Sequence, residues 1–302
     1  MPLAGIGLGA LTGALRDGTT PTALLLAAEP LPAVLGICTV HVCFTRGRWA
    51  AGLAVAVGIS AFILLSRITP LAPWPELPGR PPKDPATLAA CGRRAIPPES
   101  FILALWTGAN DANTVNRLTD VADEVVLVRP GIDLPTPAGG EYLSLPGDNV
   151  IWSRNGFAAC GDTDTWPVGR HSALVYASPA PDVSVPLLVT DLPTLGPELN
   201  WEIADIGAFA TATGGPLVVA GAGTFPTSFL RTSERLDDAG LAELRLPPNA
   251  PIAWGRLPLL ALRSVNHVWV APAWTGRGEV LDGGASWSAP VVLRLDATYQ
   301  TP

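Results

Sequence analysis

Two histidines, two oxygen-rich loops and one loop without any functional group are the places where this sequence invites a chemical reading. His171 in GRHSALVY and His267 in NHVWV carry the side chain that ligates metals or moves protons near neutral pH. Neither has a second ligand at the spacing of a known metal motif, so a local hydrogen bond is the expectation for both. GANDAN (108–113) and CGDTDTW (160–166) have the oxygen-rich look of calcium loops, but not their ligand spacing, and Asn and Asp are ordinary turn residues. No Gly-x-Ser-x-Gly, phosphate loop or dinucleotide fingerprint occurs. VVAGAGTFP (218–226) reads as a buried strand running into a Gly-flanked loop, and that loop holds no acid, amide or imidazole. Cys91 and Cys160 are a candidate disulfide if their part of the chain faces an oxidising compartment; neither has metal-ligand spacing.

Positioning such groups requires a scaffold, and the sequence outlines one. FILALW (101–106) and EVVLV (124–128) read as buried strands around a helix over 113–124, capped by Asn113 or Thr114. A parallel pair so joined takes a right-handed crossover. Further strands are expected at 148–153, 172–178, 185–192, 216–221, 267–272 and 290–296, with helices over 198–212 and over 227–240, the latter closing on Gly240. Many strands with few helices predict an α/β fold of two packed β-sheets with helices outside, a four-layer sandwich. The nine tryptophans after residue 70 are expected to be mostly core, with WTGRGE (274–279) and the Pro-rich linker as the places that could expose one or two as interface anchors.

Charge and hydropathy divide the chain. Charged residues make up 15%, against roughly 25% in ordinary soluble domains. The part after residue 70 carries 15 basic and 24 acidic residues, net −9, with Lys83 as the one lysine. Nucleic-acid readers present a basic face to phosphates, so no nucleic-acid partner is expected. Before residue 70 the chain is apolar. A span over 49–68 is long enough to cross the bilayer as a helix, and a second is expected near 30–45, where Cys38 and Cys43 pack as small hydrophobes. Arg46 and Arg48 in the turn between them would stay cytoplasmic. The short apolar run 3–15 is too short to span alone. The domain expectation is therefore a membrane anchor over 1–68, an extended Pro-rich linker over 69–97, and a folded domain over 98–302.

The order of these elements resembles the endonuclease/exonuclease/phosphatase superfamily, above all its bacterial members with N-terminal membrane spans and an extracytoplasmic catalytic domain. The resemblance covers roughly residues 98–297, SRNGF (153–157) looking like the family's Ser-Arg-Tyr-Pro stretch. It implies a metal-site Asn where Trp106 stands, and Gln-Glu, the Glu holding Mg²⁺, where Val128 and Arg129 stand. It further implies a phosphate-binding His at Asp191, and the Asp and Asn of Gly-Asp-Phe-Asn at Ala222 and Thr224. Asn266 replaces the Asp of Ile-Asp-His-Val, whose His is kept as His267; Trp287 and Ser288 replace the Asp and general-base His of the closing motif.

Mg²⁺ asks for hard oxygen ligands, and metal-assisted phosphoryl hydrolysis needs that ion and a base. Each such loss removes on the order of 10²-fold in rate, and Trp106 and Trp287 are expected to fill the former cleft. The expectation is a non-catalytic domain without metal or cofactor, anchored in the bacterial inner membrane with its large domain on the periplasmic side. Its partners would be the lipid bilayer and other subunits of a membrane complex, of the respiratory or photosynthetic kind. Two alternatives stand beside it: a divergent metal-dependent phosphodiesterase or nuclease using Asp191, Asn266 and His267, and a module binding a small anionic ligand through Arg129 and His267.

Overall fold

The computed structural model describes residues 79–136, 139–192, 197–223, 235–246, 250–254, 257–263, 265–281 and 288–298, together with Gly47 and Gly52. By internal contacts the chain divides into residues 1–77 with 225–231, and 78–224 with 232–302; the second unit holds all the elements that follow. The expected spans and the run 3–15 lie outside the described residues. No described helix is long and apolar enough to cross a membrane.

The stretch expected to be an extended linker carries a helix, α1 (Pro85–Arg94). The local code for it is complete. Asp84 caps the first turn by accepting from the Thr87 N–H at 3.0 Å, Pro85 needs no hydrogen bond at the first position, and Arg93 and Arg94 face the negative end of the dipole. Upstream, Arg80 holds the buried carboxylate of Asp205 through its backbone N–H at 2.6 Å and Nε at 3.0 Å. Cys91 is disulfide-bonded to Cys160, their Cα atoms 5.8 Å apart.

Two six-stranded mixed sheets follow. The first has the order β13 (Trp274–Val280), β14 (Val291–Ala297), β1 (Ser100–Thr107), β2 (Glu124–Val128), β4 (Asn149–Ser153), β3 (Glu141–Leu145). The second runs β5 (Thr165–Pro167), β6 (Ser172–Ala177), β7 (Val185–Leu192), β8 (Val218–Gly223), β12 (Asn266–Val270), β9 (Ala242–Glu243). Each contains one parallel pair joined through a helix: β1 and β2 through α2 (Ala112–Val121), β7 and β8 through α3 (Pro197–Thr213). A separate hairpin pairs β10 (Ala250–Trp254) with β11 (Leu257–Arg263). This is the expected sandwich of two sheets with helices outside.

Alternation along each strand builds the layers. Leu103, Leu105, Val126, Val128, Ile151 and Leu293 face across to Val175, Leu187, Val189, Ala220 and Val268, and these form the core between the sheets. The opposite faces of β1 and β2 present Ala104, Trp106, Val125 and Leu127 to Val115 and Leu118 of α2. Strands β2, β6, β8 and β12 are buried on both faces, and so read as unbroken apolar runs rather than alternating ones. Each fully buried side chain of this size contributes about 1.5–3 kcal/mol.

Two readings need correction, and a third is met in its described part. The cap of α2 is Asp111, whose carboxylate accepts from the N–H groups of Asn113 and Thr114; the oxygen-rich look of GANDAN is that of a helix cap. The tryptophan of WTGRGE begins β13 and is 3% exposed, set edge-on to Phe101 at 5.2 Å with its indole N–H on the Pro216 carbonyl. The helix expected over 227–240 is described from residue 235, and it closes on Gly240 at φ 79°.

Candidate functional site

The parallel strands β1, β2, β7 and β8 all end on one side of the sandwich, and there the sheets stand opposite each other. Open α/β sheets keep ligand chemistry at such strand ends. The residues gathered here are Thr107, Arg129, Asp191, Ala222 and Asn266, with Ser288 from the segment entering β14. Thr224 and Trp287 lie outside the described residues.

Trp106 is not in this group. Because Leu103 and Leu105 point between the sheets, Trp106 points the other way, into the cluster against α2, and Thr107 takes the inward place. Alternation sets Thr107 on the face of Leu103 and Leu105, but a strand apolar on both faces does not say in its sequence which face meets the other sheet. Trp106 still reaches the site indirectly, since its indole N–H donates to the Ser288 carbonyl at 2.9 Å.

The inward groups bond to one another across the sheets. The Thr107 hydroxyl donates to Asn266 Oδ1 at 2.6 Å, Asn266 Nδ2 donates to the Ala289 carbonyl at 3.0 Å, and the Ser288 hydroxyl donates to the Thr107 carbonyl. Thr107, Asn266 and Ser288 are fully buried, and Ala222 between them adds only a methyl group. Gly221, just before it, is compelled: a Cβ there would lie 1.9 Å from the Thr190 carbonyl oxygen.

Beside this neutral cluster lies a charged one. Arg129 leaves β2 with φ 48°, in the left-handed region that costs a non-glycine residue energy. That turn brings its Nε to 3.0 Å from Asp191 Oδ2 on the other sheet. The guanidinium is half exposed, whereas the carboxylate is 12% exposed. Burial pushes the Asp191 carboxyl above its ordinary range, and the charges of Arg129 and His171 only partly offset this. The backbone carbonyl of His171 ties the sheets again, accepting from Asn149 Nδ2 at 3.3 Å and from the Asp191 N–H at 3.1 Å. Asn149 opens the strand expected over 148–153, and nothing in its residue type marked it as a link between the sheets.

His267 belongs to neither cluster. It follows Asn266 on β12 and therefore faces away from the sheet interface, stacked on Trp269 at 5.4 Å and bonded through Nδ1 to Glu243 of β9 at 2.8 Å. The triad Asp191, Asn266 and His267 does not converge, nor do Arg129 and His267.

A Mg²⁺ ion would need several oxygen ligands free to turn toward it. Among the described residues at these strand ends the carboxylate is Asp191, already matched by Arg129, and the Thr107 and Asn266 oxygens serve the bridge between the sheets. That donor set does not fit the ion. Among the described residues no group of three or more His, Cys, Asp or Glu side chains could hold a metal.

No family model matches the sequence, and neither does any curated protein. Among solved structures the chain is similar to Cimex nitrophorin in its ferrous NO complex, with 10% identity, a TM-score of 0.45, and 67% of this chain and 100% of that one covered. It is also similar to the endonuclease domain of TRAS1, a telomere-specific non-LTR retrotransposon, with 13% identity, a TM-score of 0.47, and 67% and 100% covered. It is similar, finally, to an endonuclease/exonuclease/phosphatase from Beutenbergia cavernae DSM 12333, with 18% identity, a TM-score of 0.46, and 66% of this chain and 72% of that one covered.

Proposed function

We propose that this chain is a membrane-anchored, non-catalytic protein whose phosphodiesterase-like domain serves as a docking body, an accessory or structural subunit of a larger membrane complex of the respiratory or photosynthetic kind. One observation carries the reading. The polar groups at the strand ends, Thr107, Asn266 and Ser288, are buried and bonded to one another, where hydrolysis would need groups open to a metal, a water and a phosphoryl oxygen. The apolar runs over 30–45 and 49–68, with Arg46 and Arg48 between them, support the anchor and an extracytoplasmic domain. The expected outcome is that gentle solubilisation of native membranes recovers the chain with other subunits in fixed ratio. Recovery of the chain with no other protein overturns the reading. Mg²⁺- or Mn²⁺-dependent hydrolysis of an aryl phosphodiester is expected to be absent; hydrolysis that disappears in Asp191→Asn would establish the divergent enzyme instead.

One observation favours a second reading, a module that binds a small anion. Arg129 is held in a strained backbone conformation with its guanidinium half exposed at the rim of the sheets. This reading requires inorganic phosphate to raise the melting temperature of the protein, and Arg129→Ala to abolish the rise.

A further inference from the structure

Strand β13 forms one edge of the first sheet and, among the described residues, pairs with β14 alone. It has seven residues, whereas the other edges, β3, β5 and β9, have five, three and two. Natural sheets keep exposed edges short because open backbone groups recruit another strand.

The ladder with β14 fixes which backbone groups are open. At its two ends Thr298 N–H donates to the Ala273 carbonyl at 2.7 Å and Leu281 N–H to the Pro290 carbonyl at 2.9 Å, both pairs lying in the register of the ladder. Bonded and non-bonded pairs alternate between antiparallel strands. Thr275, Arg277 and Glu279 therefore bond toward β14, and Gly276, Gly278 and Val280 turn their N–H and C=O groups outward. Two of these three residues have no side chain to obstruct an incoming backbone.

The side chains point to what comes in. Arg277 and Glu279 are exposed and have no ion-pair partner among the described residues. Arg277 also stands directly opposite Arg294, a like-charge pairing; Arg294 is matched by Asp296 at 2.9 Å, and Arg277 is not.

We infer that β13 pairs with β13 of a second copy of this chain, antiparallel about a two-fold axis through Gly278. In that register Gly278 faces Gly278 and Gly276 faces Val280 at hydrogen-bonded positions. Arg277 faces Glu279 twice, at the non-hydrogen-bonded positions where opposed side chains come closest. Centring the axis one residue to either side would set Arg277 or Glu279 against itself. The first sheets of two copies then run on as one continuous sheet, and each Arg277 gains a carboxylate directly opposite it, where its own sheet sets Arg294. The inference stands on strand register and charge alone, apart from whether the domain is catalytic.

Sedimentation of the full chain in mild detergent at micromolar concentrations tests it. The expected result is a concentration-dependent dimer that Arg277→Glu weakens about tenfold or more, because two attractive pairs become repulsive. Glu279→Arg gives the same loss from the other side, and the double variant Arg277→Glu/Glu279→Arg recovers the dimer. A chain that stays monomeric, a dimer indifferent to either single change, or a double variant that does not recover overturns the inference.

Discussion

At the scale of the residue, one fully buried carboxyl lies outside the candidate site with half of its oxygens unpartnered. Glu124 opens β2 between the sheets and is fully buried; Ser153 donates to its Oε1 at 3.0 Å, and its Oε2 has no partner. Burial pushes this carboxyl well above its ordinary value of 4.5. A folded-state value raised above the unfolded one means that the folded protein holds the proton more tightly. The resulting stability is fully present below about pH 4.5 and is lost as pH rises through the raised folded value. Glu124→Gln keeps the shape and removes the charge. Urea titrations at acidic and neutral pH are expected to show the variant more stable at neutral pH and flatter in its pH dependence; an unchanged profile would refute this account. Asp191 shifts in the same direction, and because Arg129 holds it down, Arg129→Ala should move its titration further up, as carboxyl NMR shifts would record. At this scale residue types are legible in the sequence and side-chain directions are not. Asp191 and Asn266 do face the sheet interface, but Trp106 and His267 each lie one step of alternation away from it.

At the scale of the element, strands buried on both faces were legible because long apolar runs have few alternatives. EVVLV and VPLLVTDL become β2 and β7 with the expected limits. Strand β13 was hidden. Its inward places are filled by Gly276 and Gly278, close to Leu295, Leu244 and Leu246, so the apolar half of the alternation is supplied by other segments. Helix α1 was hidden by the prolines around it, although Asp84 and Pro85 are its start signal. The disulfide adds a covalent tie between this helix and the body of the domain, beside the burial of Leu88 and the close approach of Gly92 to Thr213. It closes a loop of 69 residues, and a cross-link of that span stabilises by about 4 kcal/mol through the entropy of the unfolded chain. Reduction, or Cys91→Ser with Cys160→Ser, is expected to lower stability by roughly 2–4 kcal/mol. Hydrogen exchange should rise first over α1 and around Tyr176, whose hydroxyl reaches the Leu88 carbonyl. Uniform exchange across the domain would count against a local role for the bond.

At the scale of the folded unit, the sheets are joined by their apolar core and, at one end, by bonds through Thr107, Asn266, Asn149, Arg129 and Asp191. Asn266→Ala would leave the Thr107 hydroxyl without its acceptor and the Ala289 carbonyl without its donor. A cost of about 1–3 kcal/mol is expected, since a buried polar group left without a partner pays its full desolvation. Chemical denaturation would measure it, and a neutral result would mean that water replaces the lost bonds. The sequence by itself determined the class of two packed sheets, the core strands and the apolar character of the first 70 residues. Those follow from local periodicity and composition, which a chain carries in its own order. Only the tertiary structure decided that Thr107 rather than Trp106 faces Asn266, that His267 turns away, and that Arg129 closes on Asp191. Each depends on which face of a strand meets the other sheet, and that is settled when two sheets pack, by residues far apart in the chain.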